Sequence, residues 1–195
     1  MRALSHFLLA SVLITLCCSP AFAHPGHGLH NTVMQGFLHP STGIDHILAM
    51  ISVGVLAFAI GGRGIWTIPL GFLAMMTAGA VVGATGIQVP EVEQGIAASV
   101  LVLGIVIALA VRLPLPFAIV LTGVFAVFHG LAHGMEGPAG HLPLFYFSGF
   151  LLATALLHGA GIGLGAVSSV LPRPDLMQRG AGVAVGLAGL LMLIG

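Results

Sequence analysis

From residue 41 to residue 194 the chain is a succession of six apolar segments, at 41–61, 66–86, 93–111, 115–134, 143–165 and 177–194. Each is near the ~20 residues an α-helix needs to cross a bilayer. In hydrocarbon every backbone N–H and C=O must be bonded within its own segment, so helices are what such runs dictate. Composition points the same way. The 195 residues include five Arg, no Lys and five acids, with 58% hydrophobic residues and 29 glycines, whereas a soluble domain carries about 25% charged residues. The expected fold is all-α, a polytopic membrane protein of six transmembrane helices with the lipid bilayer as its first partner. Net charge is zero with His neutral, so there is no basic patch for phosphates, and nucleic acid is excluded as a partner.

The breaks between segments read GGRG, QVPEVE, RLPLP, MEGPAGHLP and LPRPD, all rich in turn residues. Arg63, Arg112, Arg173 and Arg179 lie at the first, third and fifth breaks, and Glu91, Glu93 and Glu136 at the second and fourth. The positive-inside rule then turns the odd breaks to the cytoplasm, with both mature termini in the periplasm of a bacterial inner membrane. Ahead of the first segment, Met1-Arg2 opens a short basic stretch, FLLASVLITL is apolar, and Ala21-Phe22-Ala23 is a small-x-small cleavage site. A signal peptide over 1–23 is expected, leaving a single transmembrane domain over 24–195. Cys17 and Cys18, both within that signal, are the chain's two cysteines, so any metal must be held by nitrogen, oxygen or thioether. The pairs Gly79/Gly83, Gly159/Gly163, Gly161/Gly165 and Gly182/Gly186 have the spacing that lets helix backbones approach in lipid. Titratable clusters in both the first and the fourth segment leave open an arrangement of 3+3 inverted halves.

Ionisable side chains within spans are costly and mark sites. The first segment opens with HPSTGIDHILAM, carrying His39, Asp45 and His46. Asp45 and His46 are adjacent and diverge by about 100° around a helix, while His39 and His46 share a face if the helix reaches that far. Met50, four residues after His46, is read as packing. In FHGLAHGME, His129, His133 and Glu136 fall at i, i+4 and i+7, one stripe of a helix. The assigned topology sets both clusters level with each other near the outer surface. His158 lies roughly 20 Å below the outer end of the fifth segment, as either a further station or a lone structural histidine. Imidazole and carboxylate without thiolate suit Ni²⁺, Co²⁺, Zn²⁺ or Cu²⁺ and fit Mg²⁺ and Ca²⁺ poorly. Asp45 is either a direct ligand or the partner that fixes a histidine tautomer. At the mature terminus, HPGHGLH offers His24, His27 and His30 as an outer metal trap or as a polar tail. His141 and Glu136 would add to a trap, and Glu91 and Glu93 read as a solvated loop.

The same residues carry a resemblance. HPSTGIDHILAM, FHGLAHGME and FLLATALLHGAG resemble the HupE/UreJ family of nickel and cobalt permeases. The signature HPxxGxDHxxxMxxxG is met at His39, Pro40, Gly43, Asp45, His46, Met50 and Gly54, and FHGxAHG at His129 and His133. The match around His158 is softer. The resemblance covers essentially the whole mature chain. It implies a secondary permease that takes up Ni²⁺, or next Co²⁺, for hydrogenase or urease maturation, with His39, Asp45, His46, His129 and His133 in metal recognition. The ion would be cargo, with no cofactor bound permanently and no enzymatic activity. Downstream partners would be metallochaperones or metalloenzyme assembly proteins, and a homo-oligomer stays open. No Walker A sequence is present, so ATP is not used by this chain. Two other classes are set against this reading. One is an intramembrane metal hydrolase, recruiting Ser41, Asp45, His46, His129, His133 and His158, although no acidic base stands apart from the ligands. The other is a metal-binding membrane subunit that does not transport.

Overall fold

The computed structural model describes residues 33–136 and 144–195. The segment read as a signal peptide, the trap residues His24, His27 and His30, and His141 lie outside the described residues. Among the described residues there are seven α-helices and no strand: α1 (Val33–Leu38), α2 (Ile44–Ile60), α3 (Gly64–Ala84), α4 (Val92–Ala108), α5 (Leu115–Met135), α6 (Leu144–Ser169) and α7 (Pro174–Ile194). Helices α2 to α7 fall one to each apolar segment. Four of them, α3, α5, α6 and α7, are long and apolar enough to cross a membrane. A fifth crossing results if α1, its 3-10 turn and α2 are taken as one span, bent by 86°. Helix α4 is apolar but shorter, at 17 residues.

The bend corrects the expectation that His39 and His46 share one helix face. His39–Ser41 form a 3-10 turn containing Pro40, and Gly43 is extended (φ −104°, ψ 116°) where α2 begins. An extended residue ends one helical run and starts another. At the far end of α2 the chain turns through Gly61 and Gly62, both at positive φ (71° and 53°), backbone that glycine adopts readily because it has no Cβ.

The most extensive pairings are α3 with α5, α4 with α7, and α2 with α6, and α1 also lies on α6. Small residues make them close. A Cβ on Gly79 or Gly83 would collide with the carbonyl oxygens of Val127 or Leu131 on α5. Gly161 meets the Ile51 carbonyl of α2 in the same way, and Gly182 meets Ala108 of α4. The pair Gly159/Gly163 does not serve this purpose: a Cβ on either meets nothing within 4 Å. Both point away from α2, on the opposite face of α6 from Gly161. Where α2, α3, α5 and α6 converge, Met50, Val53, Phe72, Met76 and Phe150 form a fully buried core, which gives Met50 its packing role.

Alternate helices run in opposite directions, so like ends gather. The starts of α2 and α4 and the end of α7 surround a cavity of about 350 Å³. At the other end, the ends of α2 and α4 and the start of α7 surround one of about 540 Å³, which Arg112 and Asp175 line. The histidine clusters belong to the first end.

Candidate metal centre

Asp45 is the second residue of α2, where backbone N–H groups have no partner inside the helix. Its carboxylate folds back over that first turn. The backbone N–H of His46 donates to Asp45 Oδ1 at 2.7 Å, and His46 Nδ1 stands 2.9 Å from the same oxygen. The divergence of about 100° expected between adjacent side chains is thus overcome by a short side chain drawn to an open donor. A carboxylate accepts only, so it fixes the hydrogen on Nδ1 and leaves Nε2 as the free lone pair. Gly43 makes room for this pair: a Cβ there would lie 2.6 Å from Asp45 Oδ1 and 3.1 Å from His46 Nδ1.

Helix α5 ends against this turn. His129 and His133, one turn apart, both face α2, and Glu136 caps the helix, its backbone N–H donating to the Ala132 carbonyl. His133 Nε2 stands 2.8 Å from His46 Nε2. On the other side of the same ring, Nδ1 is 3.3 Å from Glu136 Oε2, and His39 Nε2 reaches that oxygen at 3.3 Å. So His39 joins the cluster from the 3-10 turn although it is not on α2. The His46 and His129 rings meet edge to face at 4.8 Å. Phe150, its ring 3.9 Å from that of His133, walls the cluster on the α6 side.

Polarity grades inward. Glu136 is exposed and His39 half-buried, whereas His46, His133 and His129 are buried, His129 completely. Partial burial alone would raise the Glu136 pKa, but the rings of His133 and His39 donate to its carboxyl and hold it well below the usual carboxylate range. Glu136 therefore stays charged at the mouth of the site.

His39, His133 and Glu136 each offer a donor atom within 4.8 Å of the others, a spacing that could hold a metal ion. His46 Nε2 adds a donor on the opposite side of the His133 ring. That ring therefore divides an outer group (His39, Glu136) from an inner one (His46, His129). A mixed nitrogen and oxygen set of this kind suits a borderline transition metal.

His158 is not in this cluster. It is buried on α6, its ring edge-on to Phe72 at 5.0 Å, and neither ring nitrogen has a hydrogen-bond partner among the described residues. Two contributors were not legible in the sequence. Ser99 of α4 is fully buried, its Oγ 3.1 Å from His129 Nε2, and a lone serine in an apolar run gives no warning of that. Glu93, read as part of a solvated loop, lies in the first turn of α4 and lines the 350 Å³ cavity together with Asp45.

Residues 12–192 match the family model described as HupE / UreJ protein. The chain is 42% identical over 177 residues to Protein HupE of Rhizobium leguminosarum bv. viciae, an alignment covering 90% of this chain and 92% of that protein. No solved structure matches it. With the signature residues His39, Asp45, His46, His129 and His133 gathered at one site and nearly the whole length matched, the chain belongs to the HupE/UreJ family.

Proposed function

We propose that this chain is a secondary permease that takes up a divalent transition-metal cation, Ni²⁺ before Co²⁺, across the bacterial inner membrane. The metal would supply the assembly of a hydrogenase or urease. The observation that carries this reading is the 2.8 Å approach of His46 Nε2 to His133 Nε2, with Asp45 behind one ring and Glu136 behind the other. Two imidazoles with a carboxylate behind each can take a divalent ion out of water at tolerable cost, because the negative charge offsets the loss of hydration.

In this reading the cation is cargo. It meets Glu136 and His39 first, passes the His133 ring, and reaches His46 and His129. Asp45 and Glu93 place negative charge beside that path. The membrane potential supplies the drive, worth about 2.3 kcal/mol per charge per 100 mV. Binding must be modest, since a site that holds too tightly will not release its ion. Both carboxylates of the cluster are engaged by imidazole, leaving neither as a free general base, so the arrangement favours transport over catalysis.

The same reading takes α2 to α7 as six spans in one domain over 24–195, behind a signal peptide, with the histidine end in the periplasm and both termini there. Arg63, Arg112, Arg173 and Arg179, all at the opposite end, support that orientation. Support for 3+3 inverted halves comes from the pairings. Exchanging α2, α3 and α4 for α5, α6 and α7 turns the α2–α6 pairing into α5–α3 and returns α4–α7 to itself.

The test is Ni²⁺ and Co²⁺ influx into liposomes holding the purified protein, wild type beside Asp45→Asn. Fast influx that the substitution abolishes is expected. Metal bound without influx in the wild type would replace the permease with a non-transporting metal-binding subunit.

A further inference from the structure

At the inner edge of the cluster and beyond it, four buried polar atoms have no hydrogen-bond partner among the described residues: His129 Nδ1, Thr154 Oγ1 and both ring nitrogens of His158. Three of these four sit on one stripe of α6, because Thr154 and His158 are one turn apart. Thr154 is unlike the other threonines of the described residues. Thr42, Thr67, Thr77, Thr85 and Thr122 each donate their hydroxyl to a backbone carbonyl three or four residues earlier, the usual outlet for a helical threonine. The Thr154 hydroxyl is fully buried and makes no such bond.

The place of this pair in the bundle gives it meaning. Ring centroids follow one another inward from His133 to His46 (4.7 Å), His46 to His129 (4.8 Å), His129 to Phe72 (5.9 Å) and Phe72 to His158 (5.0 Å). His158 is thus the next imidazole on the row after His129, with one aromatic ring between. It lies fourteen residues into α6, roughly 21 Å from that helix's start at 1.5 Å per residue, near mid-bilayer. It is also held firmly. A Cβ on Gly54, a signature position of α2, would collide with the His158 carbonyl oxygen, so the two helices touch there.

We infer that His158 and Thr154 form a second, inner station for the transported divalent cation, which receives it from His129 and passes it toward the cytoplasmic end. The inference rests on the permease reading and deepens it. The donors are imidazole nitrogen and hydroxyl oxygen, both neutral. Such a station takes Ni²⁺ or Co²⁺ in preference to Mg²⁺ or Ca²⁺, which require oxygen-rich, charged sites. It also binds more weakly than the outer cluster with its two carboxylates. A strong station followed by a weaker one lets an ion move on.

The experiment compares the full-length wild type, His158→Gln, Thr154→Val and Asp45→Asn, each as purified protein for Ni²⁺ binding and in liposomes for Ni²⁺ influx. Wild type is expected to bind Ni²⁺ in a strong and a weaker phase. His158→Gln should lose the weaker phase and cut influx about tenfold or more, while the strong phase changes much less, because the His158 ring packs on Phe72 and not on a ligand of the outer cluster. Thr154→Val should weaken the second phase and slow influx in the same sense. A purely structural His158 would lower the unfolding temperature and leave both phases in place. Wild-type binding phases and influx in His158→Gln would overturn the inner station. If that variant does not fold, wild-type influx in Thr154→Val overturns it instead. Should the wild type itself show no influx, or Asp45→Asn behave as wild type, the permease reading fails first and the inner station falls with it.

Discussion

His46 Nε2 and His133 Nε2 stand 2.8 Å apart although 87 residues separate them in the chain. Two imidazole nitrogens come this close either by sharing a hydrogen or by sharing an ion. Asp45 decides which form His46 takes, because it accepts the Nδ1 hydrogen and leaves the Nε2 lone pair turned toward His133. The carboxylate is thus a positioning group as well as a source of charge. These two roles can be separated.

In Asp45→Asn the amide oxygen can still accept the imidazole N–H, so geometry persists while the negative charge is lost. Ni²⁺ affinity is expected to fall about 10–100-fold, the range for losing an outer partner of a metal ligand, with helicity unchanged. Titration calorimetry beside circular dichroism checks it. Unchanged affinity would mean that the charge of Asp45 contributes nothing and that orientation is its whole role.

Gly43→Ala tests orientation without removing a charge. The new Cβ would lie 2.6 Å from Asp45 Oδ1, and the easiest response is for the short carboxylate side chain to swing away. The Asp45–His46 pair breaks while the helices stay packed. Ni²⁺ affinity should drop about tenfold or more, with an unfolding temperature close to wild type. A normal isotherm would show that the pair survives the added methyl group.

Much of this was legible in the sequence. Six apolar runs gave six helices because a run of that length and composition has no other way to satisfy its backbone. The i, i+4, i+7 spacing of His129, His133 and Glu136 gave the α5 stripe because helical periodicity is local. What stayed hidden depends on contacts between segments. That Gly43 would be extended, breaking α2 away from His39, follows from the Asp45–His46 pair packed over it. The buried bond between Ser99 and His129 exists only once α4 lies beside α5. Glycine spacing alone could not separate Gly161, which touches α2, from Gly159 and Gly163, which touch nothing.

The contrast between a glycine pressed against another helix and one facing open space is measurable. In Gly130→Ala the methyl group would be driven into the Met76 backbone of α3, which cannot retreat as a side chain can. Overpacking of this kind costs about 1–3 kcal/mol, and it would also displace His129 and His133, the flanking site residues. Gly159→Ala puts its methyl into open space and gains about 0.5–1 kcal/mol from the helix preference of alanine over glycine. Thermal unfolding in detergent should therefore move in opposite directions for the two variants. The same sign for both would mean that the α3–α5 contact is looser than described.

Acid response separates the carboxylates from the imidazoles. The Glu136 pKa is depressed by its two histidine donors, so the stability this group contributes is present above its unfolded pKa and is lost only as pH falls through the lower folded value. Glu136 therefore remains charged throughout the mildly acid range. Metal must compete with protons for imidazole nitrogen, so Ni²⁺ influx should fall as pH drops from about 7 to about 5, the range in which histidine ordinarily gains charge. In Glu136→Gln the influx should be lower at every pH, while an acid decline persists, because the imidazoles that exchange metal for protons remain in place. The loss should also be larger at low ionic strength, where an exposed charge steers a cation most strongly. Influx into liposomes over this pH range, at low and high salt, checks both parts. A flat wild-type profile would remove the imidazoles from the ion's path, and a profile flattened only in Glu136→Gln would assign the acid response to the carboxylate instead.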